Sequence, residues 1–126
     1  RKLYEEILCR YPELIEPGYQ VKGRNVDLYG QQADILLEDG YGKRLVVQVR
    51  TTPIEQQKLG EILNFKNAIL TGETTDVSVM LVADKMPVHL KSSCEHNGVS
   101  WKEVTLFQVR EYLEKKNDRE LLDPLK

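Results

Sequence analysis

The chain has 126 residues, a length typical of one domain with its own hydrophobic core. Hydrophobic residues make up 40% and charged residues 30% of the sequence, proportions that are ordinary for a globular protein. Its apolar runs are too short to cross a bilayer, so we expect no membrane partner. The formal net charge of −2 gives no overall attraction to nucleic acid. Any nucleic-acid binding would therefore need a local basic patch.

The two cysteines, Cys9 and Cys94, have neither the spacing of metal ligands nor a C-x-x-C pattern. We therefore expect reduced thiols in a cytoplasmic protein. The sequence has no recognisable signal peptide, and it begins at Arg1 rather than at a methionine. We expect residues 1–126 to form a single domain, and a longer parent chain with other domains stays open.

Apolar spacing and turn signals predict alternating helices and strands, beginning with a helix that ends near Pro12. Three strands follow, over 19–29, 33–38 and 44–50, the last two joined by a turn at 39–42. Pro53 suits the first turn of a helix that runs to about Leu70. The nearly continuous apolar run over 77–83 predicts a strand that is covered on both faces and paired in parallel.

The last third of the chain repeats this alternation. The pattern predicts a helix over 88–96 and a short strand over 99–104. Thr105 and Gln108 have the spacing of a capping box at the start of the last clear helix. The tail after Asn117 is charged, and we expect it to be less ordered. The whole pattern indicates the α/β class.

The predicted strand over 44–50 carries polar residues that a core strand does not need. Because side chains alternate along a strand, Val46, Gln48 and Arg50 share one face. Burying a polar side chain costs free energy unless it finds partners. Gln48 and Arg50 either lie at the sheet end, bonded locally and to solvent, or form a site. Asp34 favours the site, because it can place a carboxylate beside both.

An ordered set of motifs makes the comparison specific. The motifs are Tyr-Pro-Glu-Leu-Ile-Glu-Pro-Gly over 11–18, Ala-Asp-Ile-Leu over 33–36, Asp-Gly at 39–40 and Leu-Val-Val-Gln-Val-Arg over 45–50. This order resembles the PD-(D/E)XK nuclease superfamily, most closely the nuclease domain of archaeal and bacterial structure-specific and mismatch endonucleases. The resemblance implies a restriction-endonuclease-like core, with a central mixed sheet of about four or five strands flanked by helices.

In that superfamily an Asp and a Glu bind Mg²⁺, often with a Glu from the first helix, and a Lys helps to position the nucleophile. The resemblance implies that Asp34 is the metal-binding Asp, with Gln48 in the Glu position and Arg50 in the Lys position. Mg²⁺ prefers carboxylates to a neutral amide, and a guanidinium cannot replace an ammonium in shape or proton transfer. Glu5 or Glu6 can correspond to the helix Glu, or be a solvated helix residue.

The helix after these strands also carries residues that differ from those of the superfamily. RecB-like relatives carry Gln-x-x-x-Tyr there, and the resemblance places Glu61 at the Gln position and Phe65 at the Tyr position. Residues four apart share a helix face, so Glu61 can supply a carboxylate to the site. The implied catalytic set is then Asp34, Gln48, Arg50 and Glu61, with Asp34 and Glu61 as metal ligands. The alternative is that Glu61 lies on the helix surface.

Basic residues near the hairpin are candidates for binding the phosphates of a nucleic-acid backbone, which would make affinity salt-dependent. The candidates are Lys22, Arg24, Lys43, Arg44 and Lys58, with Lys66 nearby. Charged residues that flank strands are also common solubility features. These positions alone therefore do not distinguish a binding rim from an ordinary surface.

Three functions stay open. The first, which we favour, is a nuclease-fold domain of nucleic-acid metabolism, associated with DNA, whose catalysis is weak or lost and which needs no cofactor. The second is an active Mg²⁺-dependent DNA endonuclease that uses Asp34 and Glu61. The third is a protein-interaction module with no nucleic-acid role. Other domains of a parent chain are expected partners, and association into a homodimer stays open.

Overall fold

A five-stranded sheet with the order β1-β2-β3-β4-β5 forms the centre of the protein. The computed structural model describes residues 2–28, 30–54, 60–67 and 77–125. The strands are β1 (Tyr19–Leu28), β2 (Gln31–Asp39), β3 (Arg44–Arg50), β4 (Val77–Ala83) and β5 (Ser100–Glu103). Pairing is antiparallel from β1 to β3 and parallel from β3 to β5. The predicted mixed sheet is confirmed, including the parallel pairing of the apolar strand.

Helices cover both faces of this sheet. They are α1 (Lys2–Arg10), α2 (described over 60–67), α3 (Val88–His96), α4 (Leu106–Lys116) and α5 (Arg119–Leu122), with short 3-10 turns at Pro12–Leu14 and Asp123–Leu125. Across the described ranges, every helix is too short or too polar to span a membrane. The predicted capping box is confirmed, because the Thr105 side chain accepts the Gln108 N–H while the Gln108 side chain accepts the Thr105 N–H.

The alternation of β3 divides the core into two layers. Val47 and Val49 belong to the layer that α1, α4 and α5 cover, where Ile7 and Leu113 are fully buried. Val46 faces the opposite layer, which contains residues of α2 and α3. A strand with apolar residues on both faces must be covered on both sides, which is what a parallel strand in an α/β fold requires.

The turn between β2 and β3 is fixed by one side chain. Asp39 Oδ1 accepts the backbone N–H of Tyr41 at 2.9 Å and that of Lys43 at 2.8 Å. Gly42 has φ = 84°, a left-handed conformation that costs glycine little. This turn sets the hairpin register, with Glu38 opposite Arg44. The register determines which face Asp34, Gln48 and Arg50 share further along the strands.

Two predictions about local structure were wrong. Pro53 does not begin a helix; it lies in a bend after β3 and follows a cis peptide bond from Thr52. The helix that was predicted to run to about Leu70 is described over 60–67, and Leu70 lies outside the described residues. The tail after Asn117 was expected to be less ordered, but it forms α5.

The tail is ordered because it buries two leucines. Leu121 is 4% exposed and Leu122 is 6% exposed, and both belong to the core layer that contains α1 and α4. Asp118 caps α5 by accepting the N–H of Leu121. It also accepts a hydrogen bond from the hydroxyl of Tyr11 at 2.6 Å. A short apolar pair and one cap thus hold a segment whose composition is mostly charged.

Candidate functional site

The candidate site forms where β2 and β3 stop pairing. Their backbone pairing extends from Glu38 opposite Arg44 to Ile35 opposite Val47. Beyond Ile35, side chains connect the two strands instead. Asp34 Oδ2 accepts the backbone N–H of Val49 at 2.8 Å. The carboxylate thereby supplies the acceptor that a strand carbonyl would otherwise provide, which satisfies a buried donor.

Gln48 makes the second side-chain connection between the strands. Its Nε2 donates to the backbone carbonyl of Gln32 at 3.0 Å. Its Oε1 lies 3.4 Å from Arg50 Nη1, at the long end of a hydrogen bond. Gln48 is 4% exposed, so both contacts are made away from bulk water. A glutamate here could accept from Arg50, but its carboxylate could not donate to Gln32.

Arg50 closes this polar cluster. Its Nη1 donates to Asp34 Oδ2 at 2.9 Å and to the carbonyl of Val49 at 2.7 Å. The two charged side chains are nearly enclosed, with side-chain exposures of 14% for Arg50 and 9% for Asp34. Charge-assisted hydrogen bonds of this kind are stronger than neutral ones. Arg50 Nε is buried and has no hydrogen-bond partner within the described part of the chain.

Helix α2 supplies the opposite wall of a cleft. The cleft has a volume of about 310 Å³ and is lined by Gln31, Gln32, Asp34, Gln48, Arg50, Glu61 and Phe65. Phe65 is 2% exposed, whereas Glu61 is an exposed residue. The structure therefore brings together all four residues implied as the catalytic set. It also places Phe65 at the same cleft, one helical turn from Glu61.

The donor set of this cleft can be compared with what Mg²⁺ requires. Asp34 Oδ2 already receives the Val49 N–H and the Arg50 guanidinium, and Gln48 offers a neutral amide. Residues 2–28, 30–54, 60–67 and 77–125 contain no group of three His, Cys, Asp or Glu side chains that could hold a metal ion. Mg²⁺ favours carboxylates in octahedral geometry. The donor set as arranged does not fit a carboxylate-rich Mg²⁺ site.

The glutamates of the first helix have another partner. Glu5 is 6% exposed, and its Oε1 lies 3.5 Å from Arg24 Nε. Glu6 accepts a hydrogen bond from Arg24 Nη1 at 2.6 Å, and this bond lowers the pKa of the Glu6 carboxyl. Neither glutamate lines the cleft. Arg24, predicted to contact phosphate, is thus held in a network with two carboxylates.

Among the described residues, the structure does not gather the predicted basic side chains around the cleft. Lys43 directly precedes β3 and Arg44 begins it, and the six residue steps from Arg44 to Arg50 span about 20 Å. Lys22 is exposed on β1, and Lys58 lies outside the described residues.

Lys66 has a different position again. Its Nζ donates to the carbonyl of Asn97 at the end of α3, where the negative end of the helix dipole favours a positive charge. Lys66 therefore joins α2 to α3 and is not part of a surface rim.

Two cleft residues were missed by the sequence analysis. Gln31 and Gln32 precede Asp34 and line the cleft beside it. One signal was present for Gln32, because it stands two positions before Asp34 and strand side chains repeat with period two. Alternation gives no such signal for Gln31, because a residue three positions before Asp34 is predicted to face the opposite side of the strand. Alternation along the strand therefore could not place Gln31 at the cleft.

Comparisons with known proteins concern the fold. No family model and no curated protein matches the sequence. EndoMS in complex with double-stranded DNA superposes with a TM-score of 0.71 at 19% identity, covering 82% of this chain and 44% of that chain. A repair endonuclease from Pyrococcus abyssi gives 0.72 at 15% identity, covering 82% and 46%. An XisH family protein from Nostoc punctiforme gives 0.63 at 14%, covering 85% and 94%.

This chain therefore spans less than half the length of the two endonucleases and nearly the full length of the XisH family protein. At such identities the similarity establishes architecture and not activity. The chain has the restriction-endonuclease-like α/β fold that its motifs implied.

Proposed function

We propose that this protein is a DNA-associated nuclease-fold domain of nucleic-acid metabolism in which phosphodiester cleavage is weak or lost. The observation that carries the proposal is the closed ion pair between Asp34 and Arg50, with Gln48 at its side. In this arrangement the carboxylate expected to bind metal is engaged by a guanidinium. The position expected to hold a second carboxylate carries an amide instead.

Electrostatics explains why this arrangement opposes metal binding. A divalent cation at Asp34 would have to displace a guanidinium 2.9 Å away or be repelled by it. Replacing a carboxylate by Gln48 also removes one negative charge from the site. Because both residues are nearly buried, solvent screens this repulsion less than it would at the surface. The cluster therefore satisfies its own charge without a metal.

The DNA association is supported by the fold and by what its structural neighbours are. EndoMS was solved with double-stranded DNA, and the Pyrococcus abyssi protein is a repair endonuclease. Since the described basic residues are dispersed, we expect few phosphate contacts. Binding should weaken with salt with a shallow slope, on the order of two to three charges.

The first experiment measures retention of double-stranded DNA as sodium chloride is raised, with and without EDTA. We expect salt-dependent binding that does not need a divalent metal. Retention that is absent at low salt would favour the protein-interaction module over our proposal. Binding that appears only with Mg²⁺ or Mn²⁺ would contradict the closed ion pair as the resting state of the site.

A second candidate function is the active Mg²⁺-dependent endonuclease, and the observation that favours it is that Glu61 lines the same cleft as Asp34. Plasmid nicking with Mg²⁺ or Mn²⁺ tests it, with Asp34→Ala and Glu61→Gln as matched variants. Our proposal expects little or no nicking by the wild type. Efficient cleavage by the wild type that both variants abolish would replace it with the active endonuclease.

The remaining partners are part of the proposal as predictions. We infer that other domains of a longer parent chain and a second copy of this chain are the protein partners to test, together with a cytoplasmic location. Size-exclusion chromatography with light scattering decides the homodimer. A monomer mass at micromolar concentration would remove it.

A further inference from the structure

The cleft has two walls, and residues 51–54 leave the first wall at the end of β3. Arg50 ends β3, residues 51–54 follow it, and α2 carries Glu61 and Phe65. Whatever fixes this segment also fixes the position from which the Arg50 side chain extends. The segment is held by a carboxylate that belongs to another strand.

That carboxylate is Asp84, directly after β4. Its Oδ1 accepts the backbone N–H of Thr52 at 2.8 Å. The Thr52 hydroxyl lies 3.2 Å from Oδ1 and 3.1 Å from Oδ2. Ala83, the residue before Asp84, is the parallel-register neighbour of Arg50. Asp84 thus lies beside the exit of β3 and binds the chain two residues after Arg50.

The burial of Asp84 calls for an explanation. It is 8% exposed, and a carboxylate removed from water is costly unless hydrogen bonds replace its hydration. The contacts described for it go to a single residue, Thr52. A carboxylate that accepts hydrogen bonds from both the backbone and the side chain of one residue restricts that residue's position and orientation.

The other ionisable groups near Asp84 are Glu103 and Tyr4, which bind elsewhere in the chain. Glu103 Oε2 accepts the N–H of Met86 at 2.7 Å, which holds the segment between β4 and α3. The Tyr4 hydroxyl donates to the carbonyl of Val104 at 2.8 Å, and burial, with Asp84 and Glu103 nearby, raises the pKa of Tyr4. Glu103 therefore fixes the segment before α3 in the same manner, but not the residues that follow β3.

We propose that Asp84, acting through Thr52, is a positioning residue that holds the exit of β3 so that Arg50 reaches Asp34 on the neighbouring strand β2. Arg50 makes its contacts to Asp34, Gln48 and the Val49 carbonyl through a single nitrogen, Nη1. Those distances leave little tolerance for a shift of the backbone. The inference rests on the proposed function for its effect on DNA, but its structural part can be measured without DNA.

The variants are Asp84→Asn and the nearly isosteric Thr52→Val, which removes the hydroxyl and leaves the backbone N–H. Thr52→Ser restores the hydroxyl, and Glu103→Gln is the matched control on the neighbouring loop. The first readout is the NMR signal of the Arg50 Nε–H, assigned by its loss in Arg50→Met. Because this atom is buried, its hydrogen should exchange slowly with water.

We expect Thr52→Val and Asp84→Asn to shift this signal and accelerate its exchange, while Thr52→Ser and Glu103→Gln leave it unchanged. A purely structural contribution would lower thermal stability without moving this signal selectively. An Arg50 signal that is unchanged in both Thr52→Val and Asp84→Asn would overturn the inference, whatever the protein does with DNA.

The second readout is DNA affinity in a double-mutant cycle. Thr52→Val should weaken binding about fivefold in the wild-type background and have no further effect in Arg50→Met. Equal effects in both backgrounds would show that Thr52 does not act through Arg50 and would overturn the inference. If the wild type binds no DNA, the proposed function fails, and the NMR signal alone decides the positioning role.

Discussion

The ion pair between Asp34 and Arg50 makes the sharpest prediction, because removing one partner takes the opposite charge away from the other, which stays buried. Arg50→Met removes the guanidinium and keeps most of the apolar stem. Asp34, 6% exposed, would then be a buried carboxylate without its cation. Breaking a buried pair in this way typically costs about 3–5 kcal/mol. Since the Arg50 side chain is 14% exposed, water can reach part of the site, and we expect about 2–3 kcal/mol.

A double-mutant cycle separates the pair from the individual side chains. Asp34→Asn keeps an acceptor for the Val49 N–H and removes the charge, so it should cost about 1–2 kcal/mol. In the double variant Arg50→Met should add little, which gives a coupling energy of about 2 kcal/mol. Urea unfolding at pH 7, followed by fluorescence and circular dichroism, measures all four proteins.

The exposed pair between Arg24 and Glu6 is the matched control. Its atoms are closer, at 2.6 Å, but its side chains are 36% and 44% exposed. Because solvent screens such a pair, its coupling should be much smaller than that of Asp34 and Arg50. A coupling below about 0.5 kcal/mol for Asp34 and Arg50 would refute the reasoning, since values that small are indistinguishable from additivity.

Three further predictions concern Gln48, Asp118 and Leu121. Gln48→Glu removes the donor to the Gln32 carbonyl and adds a second buried carboxylate, so urea unfolding should show a loss of about 2 kcal/mol at pH 7; unchanged stability would contradict the structural role of the amide. The Tyr11 hydrogen bond lowers the pKa of Asp118 below its ordinary 3.8. The ionised Asp118 carboxylate therefore stabilises the folded state above that pH, and this stabilisation disappears as the pH falls through the folded-state pKa. Acid unfolding of Asp118→Asn should therefore depend less on pH than that of the wild type, and parallel curves would argue against this. Leu121→Ala should lower the unfolding free energy by about 3 kcal/mol, whereas a loss under about 1 kcal/mol would mean that the tail is not docked in solution.

The strands were predictable because their signal is local. Alternation along β3 placed Gln48 and Arg50 on one face from the sequence alone, and the capping box at Thr105 identified the start of α4. Pro53 was misplaced because proline is favoured both in the first turn of a helix and in bends. Composition likewise failed for the tail, where Leu121 and Leu122 anchor an otherwise charged segment.

The site was less predictable than the fold, since its contacts join distant parts of the chain. The motif order located Asp34 and Arg50, and the structure brings Glu61 to the same cleft. No local signal connects Asp84 to Thr52, thirty-two positions earlier, because their contact depends on the parallel register of β3 and β4. Nearness in sequence to the hairpin did not imply nearness to the cleft, because Arg44 and Arg50 lie at opposite ends of β3.

Gln48 and Arg50, which stand where the superfamily motif has Glu and Lys, are physically compatible with each other. Two carboxylates beside each other at the end of β3 would repel unless a cation lay between them. With Gln48, one of those charges is absent, and the amide donates to the carbonyl of Gln32. Arg50 neutralises the charge on Asp34 through a hydrogen bond of 2.9 Å. The cluster therefore balances its own charge, and restoring metal affinity should require two changes in the same protein. Gln48→Glu supplies the missing carboxylate, and Arg50→Lys keeps the positive charge but removes the planar guanidinium that engages Asp34.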